Sequence, residues 1–217
     1  GIVFVSNVVQ KHIEYAVSQK IPCVLVNSYS DKLPSVLSDN RKGAYLAGRY
    51  LIEHGHKTVA LLAGVRSYLS NQERTAGFLQ AFQEEGLSIP PELILETGSW
   101  LYDAAEKVCL NFFNTYTGEM STTLLAFNYR LATGAINANG KTGRTVPDDV
   151  SVIGYDNLGY YNIISPRITT VETHIEAISE STVMHMIWQL NNGSCLPVKV
   201  LTPVEVISGE TVRSLLY

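Results

Sequence analysis

The sequence of 217 residues is 46% hydrophobic and 17% charged, which is typical of a globular protein with one large domain or two smaller lobes. Its net charge of −4 and the scattering of its lysine and arginine residues argue against direct nucleic-acid binding by this chain, since a nucleic-acid surface usually shows a basic excess or stripe. No apolar run approaches the ~20 residues of a membrane-spanning helix, and the N-terminus lacks the charged-then-apolar layout of a signal peptide.

Short apolar runs alternate with segments of helical periodicity along the chain. The predicted strands are 2–5, 23–26, 58–63, 93–97, 122–127, 151–155 and 169–173, with a final extended segment at 197–207. The predicted helices are about 13–18, 40–54, a helix from the capping-box pattern at Ser70–Glu73 to a stop at Gly86, 102–114, 128–138 and 175–190. Because the strands are apolar throughout, we expect an α/β fold with parallel sheets flanked by helices on both faces.

Two segments interrupt this alternation, residues 27–40 and residues 164–176. Neither has a regular period, and each contains a proline. We interpret them as crossings between two lobes.

The three cysteines, Cys23, Cys109 and Cys195, are far apart and odd in number. Their spacing matches neither a disulfide framework nor a zinc site. We therefore expect free thiols, a reducing compartment and a cytoplasmic protein.

Polar and aromatic side chains follow several of the predicted strands. In open α/β sheets, ligands bind beyond the carboxyl ends of the strands. The residues at those positions are Asn27, Arg74, Ser99, Trp100, Asn128, Asp156, Asn157 and Thr173. An aromatic face for the C–H side and planar bidentate groups for adjacent hydroxyls suit a sugar. The sequence thus predicts a ligand site at the strand ends.

Simpler interpretations remain open for each of these residues. Asn128 and Asp156 could cap the next element, Arg74 could be an ordinary surface arginine, and Trp100 could be a core or surface residue.

Catalysis finds less support in the sequence. None of the five histidines follows a strand beside a nucleophile, and neither a nucleophile elbow nor a glycine-rich phosphate loop is present. We expect no enzymatic activity, no cofactor and no metal.

Several stretches together carry a resemblance to a known family. They are, in chain order, IPCVLVN, VLSDNRKGAYLAGRYLIEHGHKTVALLAG, ERTAGF, LLAFNYRLATGAI, VPDDVSVIGYDN and SPRITTVE. Their order and spacing resemble the effector-binding core of Lac repressor/Gal repressor family regulators, a core that is itself similar to the periplasmic sugar-binding proteins. The resemblance spans nearly all 217 residues.

The resemblance implies a two-lobed, periplasmic-binding-protein-like sensor that binds a sugar or nucleoside-like effector between its lobes. It implies a homodimer whose effector controls operator DNA binding through a helix-turn-helix domain absent from this chain. The pocket positions of the family fall on Asn27, Arg74, Trp100, Asn128, Asp156 and Thr173, with Tyr68 and Ser70 as further contacts. Residues 160–164 match a region that helps to form the dimer face.

The resemblance also implies a division of the chain. The N-terminal lobe is expected at 1–37 and 174–199, and the C-terminal lobe at 38–173 and 200–217. Since Gly1 matches the start of the family's third strand, we expect the N-terminal lobe to be incomplete here.

Two departures from the family bear on the ligand. Tyr129 follows Asn128 where the family usually has aspartate, and Asn27 stands where several sugar-binding relatives have aspartate. A periplasmic sugar-binding protein of a transport system is the alternative function, and an enzyme is a distant third.

Overall fold

The computed structural model describes residues 1–6, 8–117, 123–156, 165–193 and 195–216, and the chain divides into two compact units. Unit 1 comprises Gly1–Asp39 and Thr173–Val204, and unit 2 comprises Asn40–Glu172 and Glu205–Tyr217. The chain therefore passes from one unit to the other three times.

The described residues form six α-helices, ten strands and one short 3-10 helix at Pro91–Leu93. The helices are α1 (Gln10–Ser18), α2 (Asn40–Glu53), α3 (Leu69–Glu84), α4 (Tyr102–Thr115), α5 (Tyr129–Lys141) and α6 (Ile175–Asn192). The strands are β1 (Ile2–Val5), β2 (Cys23–Val26), β3 (Ser35–Ser38), β4 (Val59–Ala63), β5 (Ile94–Glu96), β6 (Thr123–Ala126), β7 (Ser151–Tyr155), β8 (Thr169–Glu172), β9 (Lys199–Thr202) and β10 (Glu205–Ile207). No helix among these is both long enough and apolar enough to cross a membrane.

Unit 1 contains a four-stranded parallel sheet in the order β1-β2-β3-β9. Side chains of β2 alternate between its two faces, as a strand requires. Cys23 and Leu25 pack with buried residues of α1, whereas Val24 and Val26 pack with Ile178 of α6. One helix thus covers each face of the central strand.

Two details of unit 1 differ from the sequence prediction. Strand β3 lies inside the segment 27–40, which the sequence predicts to be an irregular crossing. The sequence does not reveal this strand because it has a serine at each end and follows a proline. The predicted extended segment 197–207 is two strands, and β9 pairs with β3 of unit 1. The last crossing therefore falls after Val204, five residues later than the expected position after 199.

Unit 2 contains a six-stranded sheet in the order β10-β8-β7-β6-β4-β5, in which only β10 is antiparallel to its neighbour. Every residue of β4, β6 and β7 is buried. Burial on both faces explains why these strands are apolar throughout and confirms the predicted α/β class.

Helices α2 and α3 approach each other closely in unit 2. A Cβ atom placed on Gly77 of α3 would overlap the carbonyl oxygen of Arg41 in α2, and one placed on Gly48 of α2 would lie 2.8 Å from Cβ of Ala81. Glycines at these two positions let the helices meet backbone to backbone. This contact holds α3, and with it Arg74, against the start of α2.

Candidate functional site

The carboxyl ends of four neighbouring strands of unit 2 carry most of the predicted ligand-binding residues. Asp156 follows β7, Asn128 follows β6, Tyr68 lies in the loop after β4, and Trp100 follows β5. Since β7, β6, β4 and β5 are adjacent and parallel, their ends meet along one edge of the sheet.

Arg74 lies at the centre of this edge and is buried, with 6% of its surface exposed. Its Nε donates to Oδ1 of Asn40 at 2.8 Å, and its Nη1 donates to the carbonyl oxygen of Phe127. Its two terminal nitrogens donate to the carboxylate of Asp156 at 3.3 and 3.0 Å, a bidentate pair. The guanidinium carbon lies 3.6 Å from the centroid of the Tyr155 ring. Four neighbouring residues, from the start of α2 and the ends of β6 and β7, therefore fix the guanidinium, so it is not an ordinary surface arginine.

Asp156 has a backbone conformation that non-glycine residues seldom adopt, with φ of 65°. Its N–H donates to the carbonyl oxygen of Val171 at 3.0 Å, which holds this turn against β8. About a third of its side chain, 33%, is exposed, against 7% of the Arg74 side chain. The carboxylate is thus the accessible member of the ion pair.

Asn128 makes the capping bond that was the simpler interpretation of this residue. Its Oδ1 accepts from the N–H of Leu131 at 2.7 Å, at the start of α5. Its Nδ2 donates to the carbonyl oxygen of Trp100 at 3.1 Å and so ties the ends of β6 and β5 together. The next residue, Tyr129, is only 4% exposed. The phenol found in place of the family's carboxylate therefore belongs to the interior.

Trp100 lies against the end of β4. Its ring packs on Gly64, where a Cβ atom would lie 2.5 Å from the indole, and it meets the ring of Tyr68 at a centroid distance of 5.9 Å. Its Nε1 is buried and has no hydrogen-bond partner among the described residues. The two rings form an aromatic surface at the same edge of the sheet as the Arg74–Asp156 pair.

Ser70 differs from the prediction in its position along the helix. Helix α3 begins at Leu69, and Tyr68 is its N-cap residue without a side-chain cap bond. Ser70 is therefore inside the first turn and half-buried, and the predicted capping box at Ser70–Glu73 is wrong.

Asn27 and Thr173 belong to unit 1. Asn27 follows β2 with φ of 51°, is exposed, and donates its N–H to the carbonyl oxygen of Val36 at 3.0 Å. Thr173 follows β8 and is 7% exposed. Asn157 and residues 160–164, the region predicted to help form a dimer face, lie outside the described residues.

Asn40 and Tyr155 were missed in the sequence analysis. Asn40 is the first residue of α2, and Tyr155 is the last residue of β7; both are buried. In the sequence, the only indication of these two residues is that a polar side chain stands at the end of a helix or strand. Many other residues share that feature.

Within the described ranges, no group of three or more His, Cys, Asp or Glu side chains could hold a metal ion. Burial raises the pKa of the Cys109 thiol to about 12, so it stays protonated near neutral pH. The three cysteines are free, as expected.

Comparison with known proteins gives consistent results. Residues 49–212 match the family model described as a periplasmic binding protein-like domain. The chain is 31% identical over 196 residues to the HTH-type transcriptional repressor PurR of Pasteurella multocida. The match covers 89% of this chain and 58% of that protein. It is 29% identical over 210 residues to the probable HTH-type transcriptional repressor ExuR of Bacillus subtilis, covering 93% of the chain and 60% of that protein.

A solved structure resembles the fold over almost the whole chain. The LacI family transcriptional regulator from Enterococcus faecium, crystallised with bound ribose, superimposes with a TM-score of 0.87 at 22% identity, over 99% of this chain and 80% of that one. The chain spans 58% and 60% of the length of the two curated repressors that it matches. From the family match and these relatives, the chain belongs to the periplasmic binding protein-like domain family and, within it, to the effector-binding cores of Lac repressor/Gal repressor regulators.

Proposed function

We propose that this chain is the effector-sensing part of a bacterial transcriptional repressor that binds a sugar or sugar-like small molecule. The Arg74–Asp156 pair carries the ligand-binding part of the proposal. A buried, fixed guanidinium next to a partly exposed carboxylate offers directed donors and acceptors at a sheet edge where ligands bind in this class of fold. The aromatic pair Tyr68–Trp100 on the same edge adds a surface for the C–H face of a sugar ring.

The regulatory part of the proposal is supported by the relatives. Both curated proteins quoted above are HTH-type repressors, and the E. faecium regulator holds ribose. We propose that operator DNA is bound through a helix-turn-helix domain of the whole protein, that the protein is a cytoplasmic homodimer, and that it is not an enzyme. A transport protein is not favoured, because the matched relatives are regulators.

In this proposal Arg74, Asp156, Asn128 and Trp100 contact the effector, with Tyr68 and Ser70 beside them. Asn128 would act chiefly by holding Trp100, since both ends of its amide are already bonded. Asn27 and Thr173 of unit 1 stay predicted contacts. Effector binding would act by favouring one of two conformations, with a coupling of about 1–3 kcal/mol.

Thermal-shift and calorimetric binding assays on the whole protein test this proposal. The probes are D-ribose, D-galactose, cellobiose and adenosine, and a bound probe raises the melting temperature by mass action. We expect Arg74→Ala to weaken binding of the active probe by about 2–5 kcal/mol, because a buried polar partner is left unpaired.

Arg66→Ala is the matched control. Arg66 lies in the loop before α3, its side chain is 84% exposed, and its pair with Glu96 spans 3.5 Å. A surface pair of this kind contributes at most about 1 kcal/mol, so Arg66→Ala should leave both affinity and stability nearly unchanged. Unchanged affinity in Arg74→Ala would show that the site assignment is wrong, and a wild-type protein that binds none of the probes would count against a sugar or nucleoside effector.

A further inference from the structure

Asn40 accepts a hydrogen bond from Arg74 through its side chain and one from Tyr155 through its main chain. Oδ1 of Asn40 accepts from Nε of Arg74 at 2.8 Å. The carbonyl oxygen of the same Asn40 accepts from the hydroxyl of Tyr155 at 3.2 Å. The guanidinium carbon of Arg74 lies 3.6 Å from the centroid of the Tyr155 ring. Asn40, Tyr155 and Arg74 therefore each contact the other two, and we call these three residues the bracket.

The residues of the bracket are closely packed in the interior of unit 2. Asn40 is 5% exposed and Tyr155 is fully buried. A Cβ atom on Gly43, one turn along α2 from Asn40, would overlap the hydroxyl of Tyr155. The tyrosine hydroxyl is therefore packed closely against α2, where it donates to the main-chain carbonyl of Asn40.

The chemistry of an amide suits the place of Asn40. A guanidinium donates in fixed directions in one plane, so an acceptor at Nε sets the rotation of the whole fork. A neutral amide oxygen accepts this bond without adding a second carboxylate beside Arg74. The charge of Arg74 then remains paired with Asp156 alone among the partners described above, at 3.0 Å.

We propose that Asn40 is a positioning residue that sets the orientation of the Arg74 fork toward Asp156 and the effector. Only the link to the effector rests on the proposed function, since the orientation of Arg74 by Asn40 does not require a ligand. Tyr155 supports the bracket from below through its ring and from the side through its hydroxyl.

Two variants separate orientation from simple structural damage. Asn40→Leu keeps the size of the side chain but removes the acceptor, and Asn40→Asp keeps both size and acceptor. In the whole protein, the Nε–Hε signal of Arg74 in a nitrogen–proton NMR spectrum reports the bond directly, and its assignment follows from its loss in Arg74→Lys.

We expect water exchange of the Arg74 Hε proton to speed up by about tenfold or more in Asn40→Leu, since its acceptor is gone, and to stay slow in Asn40→Asp. The resonance in Asn40→Asp should shift, because a carboxylate replaces an amide as acceptor. Slow exchange in Asn40→Leu, or an unmoved resonance in Asn40→Asp, would overturn the proposal. The second readout decides the matter even where Asn40→Leu does not fold.

Binding of the same four probes connects the bracket to the effector. The probe that binds wild type should bind Asn40→Leu about tenfold or more weakly, and a folded Asn40→Leu that binds it at wild-type strength contradicts the link to the effector. A protein in which the NMR signals behave as expected but no probe binds the wild type would retain the positioning role of Asn40 and would lose the proposed sugar or nucleoside function.

Discussion

The central strands of unit 2 are covered on both faces, whereas the first strand of unit 1 and much of α6 are exposed. All residues of β4, β6 and β7 are buried, but Val3 and Val5 of β1 are 46% and 64% exposed. Of the eighteen large hydrophobic side chains that are exposed among the described residues, fifteen lie in unit 1. Helix α6 contributes several, including Met184 at 71%.

This difference shows how stability and function are distributed along the chain. A parallel sheet is normally covered on both faces, and unit 2 meets that requirement with its own helices. Six of the eight proposed effector contacts belong to unit 2, where buried strands give them a rigid base. Unit 1 combines a smaller core with a larger exposed apolar surface, so we expect it to open more readily in the isolated 217-residue chain.

The largest expected effect comes from removing core volume in unit 2. Leu61 of β4 is fully buried, so Leu61→Ala should lower the free energy of unfolding by about 2–5 kcal/mol. Val5→Ala in β1, where most of the side chain already meets solvent, should cost less than about 1 kcal/mol. Urea denaturation of each variant, with hydrogen exchange to identify the unit that opens, measures the difference. Equal costs for the two substitutions would show that the contrast between the units is wrong.

A smaller effect is expected where α2 and α3 meet. Gly77→Ala would place a methyl group against the backbone carbonyl of Arg41, and overpacking of this kind costs about 1–3 kcal/mol. Gly140→Ala is the matched control, because the same methyl group on α5 would meet no atom within 4 Å and alanine favours a helix over glycine by about 0.5–1 kcal/mol. Melting temperatures should therefore move in opposite directions. A stabilised Gly77→Ala would mean that the helices separate without cost.

The parts of the fold that the sequence predicted well depend on local patterns. The apolar run of β7 and the helical period of α2 are visible in any short window, and both elements lie where they were expected. Strand β3 was missed because Ser35 and Ser38 give it no apolar run, although both serines are buried. Its place in the sheet depends on parallel partners on both sides, which a local pattern does not contain.

The site was predictable to the extent that it depends on strand ends. Strand ends identified Arg74 and Asp156 as separate candidates, but their bidentate pairing joins residues 82 positions apart in the sequence. The role of Asn40 depends on the packing of α2 against α3 and β7, which no spacing in the sequence expresses. Gln189 shows the same limit in unit 1, since it bonds both the N–H and the carbonyl of Cys23 from 166 residues away.

The smallest expected effect is a dependence of unit 2 on pH through His56. This side chain is fully buried; its Nε2 lies 2.9 Å from the carbonyl oxygen of Arg213 and its Nδ1 lies 2.6 Å from Oγ1 of Thr123. A carbonyl oxygen only accepts, so Nε2 carries the hydrogen and Nδ1 accepts from the Thr123 hydroxyl in the neutral ring. Burial lowers the pKa of His56 below its ordinary 6.5, against the opposing effect of the Arg213 carbonyl.

Because the pKa of His56 is lower in the folded than in the unfolded chain, the unfolded chain takes up a proton first as the pH falls below about 6.5. The free energy of unfolding should therefore fall with decreasing pH in that range, by no more than about 1.4 kcal/mol per pH unit for this one group. His56 joins the start of β4, β6 and the C-terminal segment, all in unit 2.

Hydrogen exchange at pH 7.5 and pH 5.5 should thus show the protection of unit 2 approaching that of unit 1 in acid, with a weaker change in His56→Gln. If His56→Gln loses protection in acid as steeply as the wild type does, the acid sensitivity of unit 2 has a different origin, and the contrast between the units does not depend on this histidine.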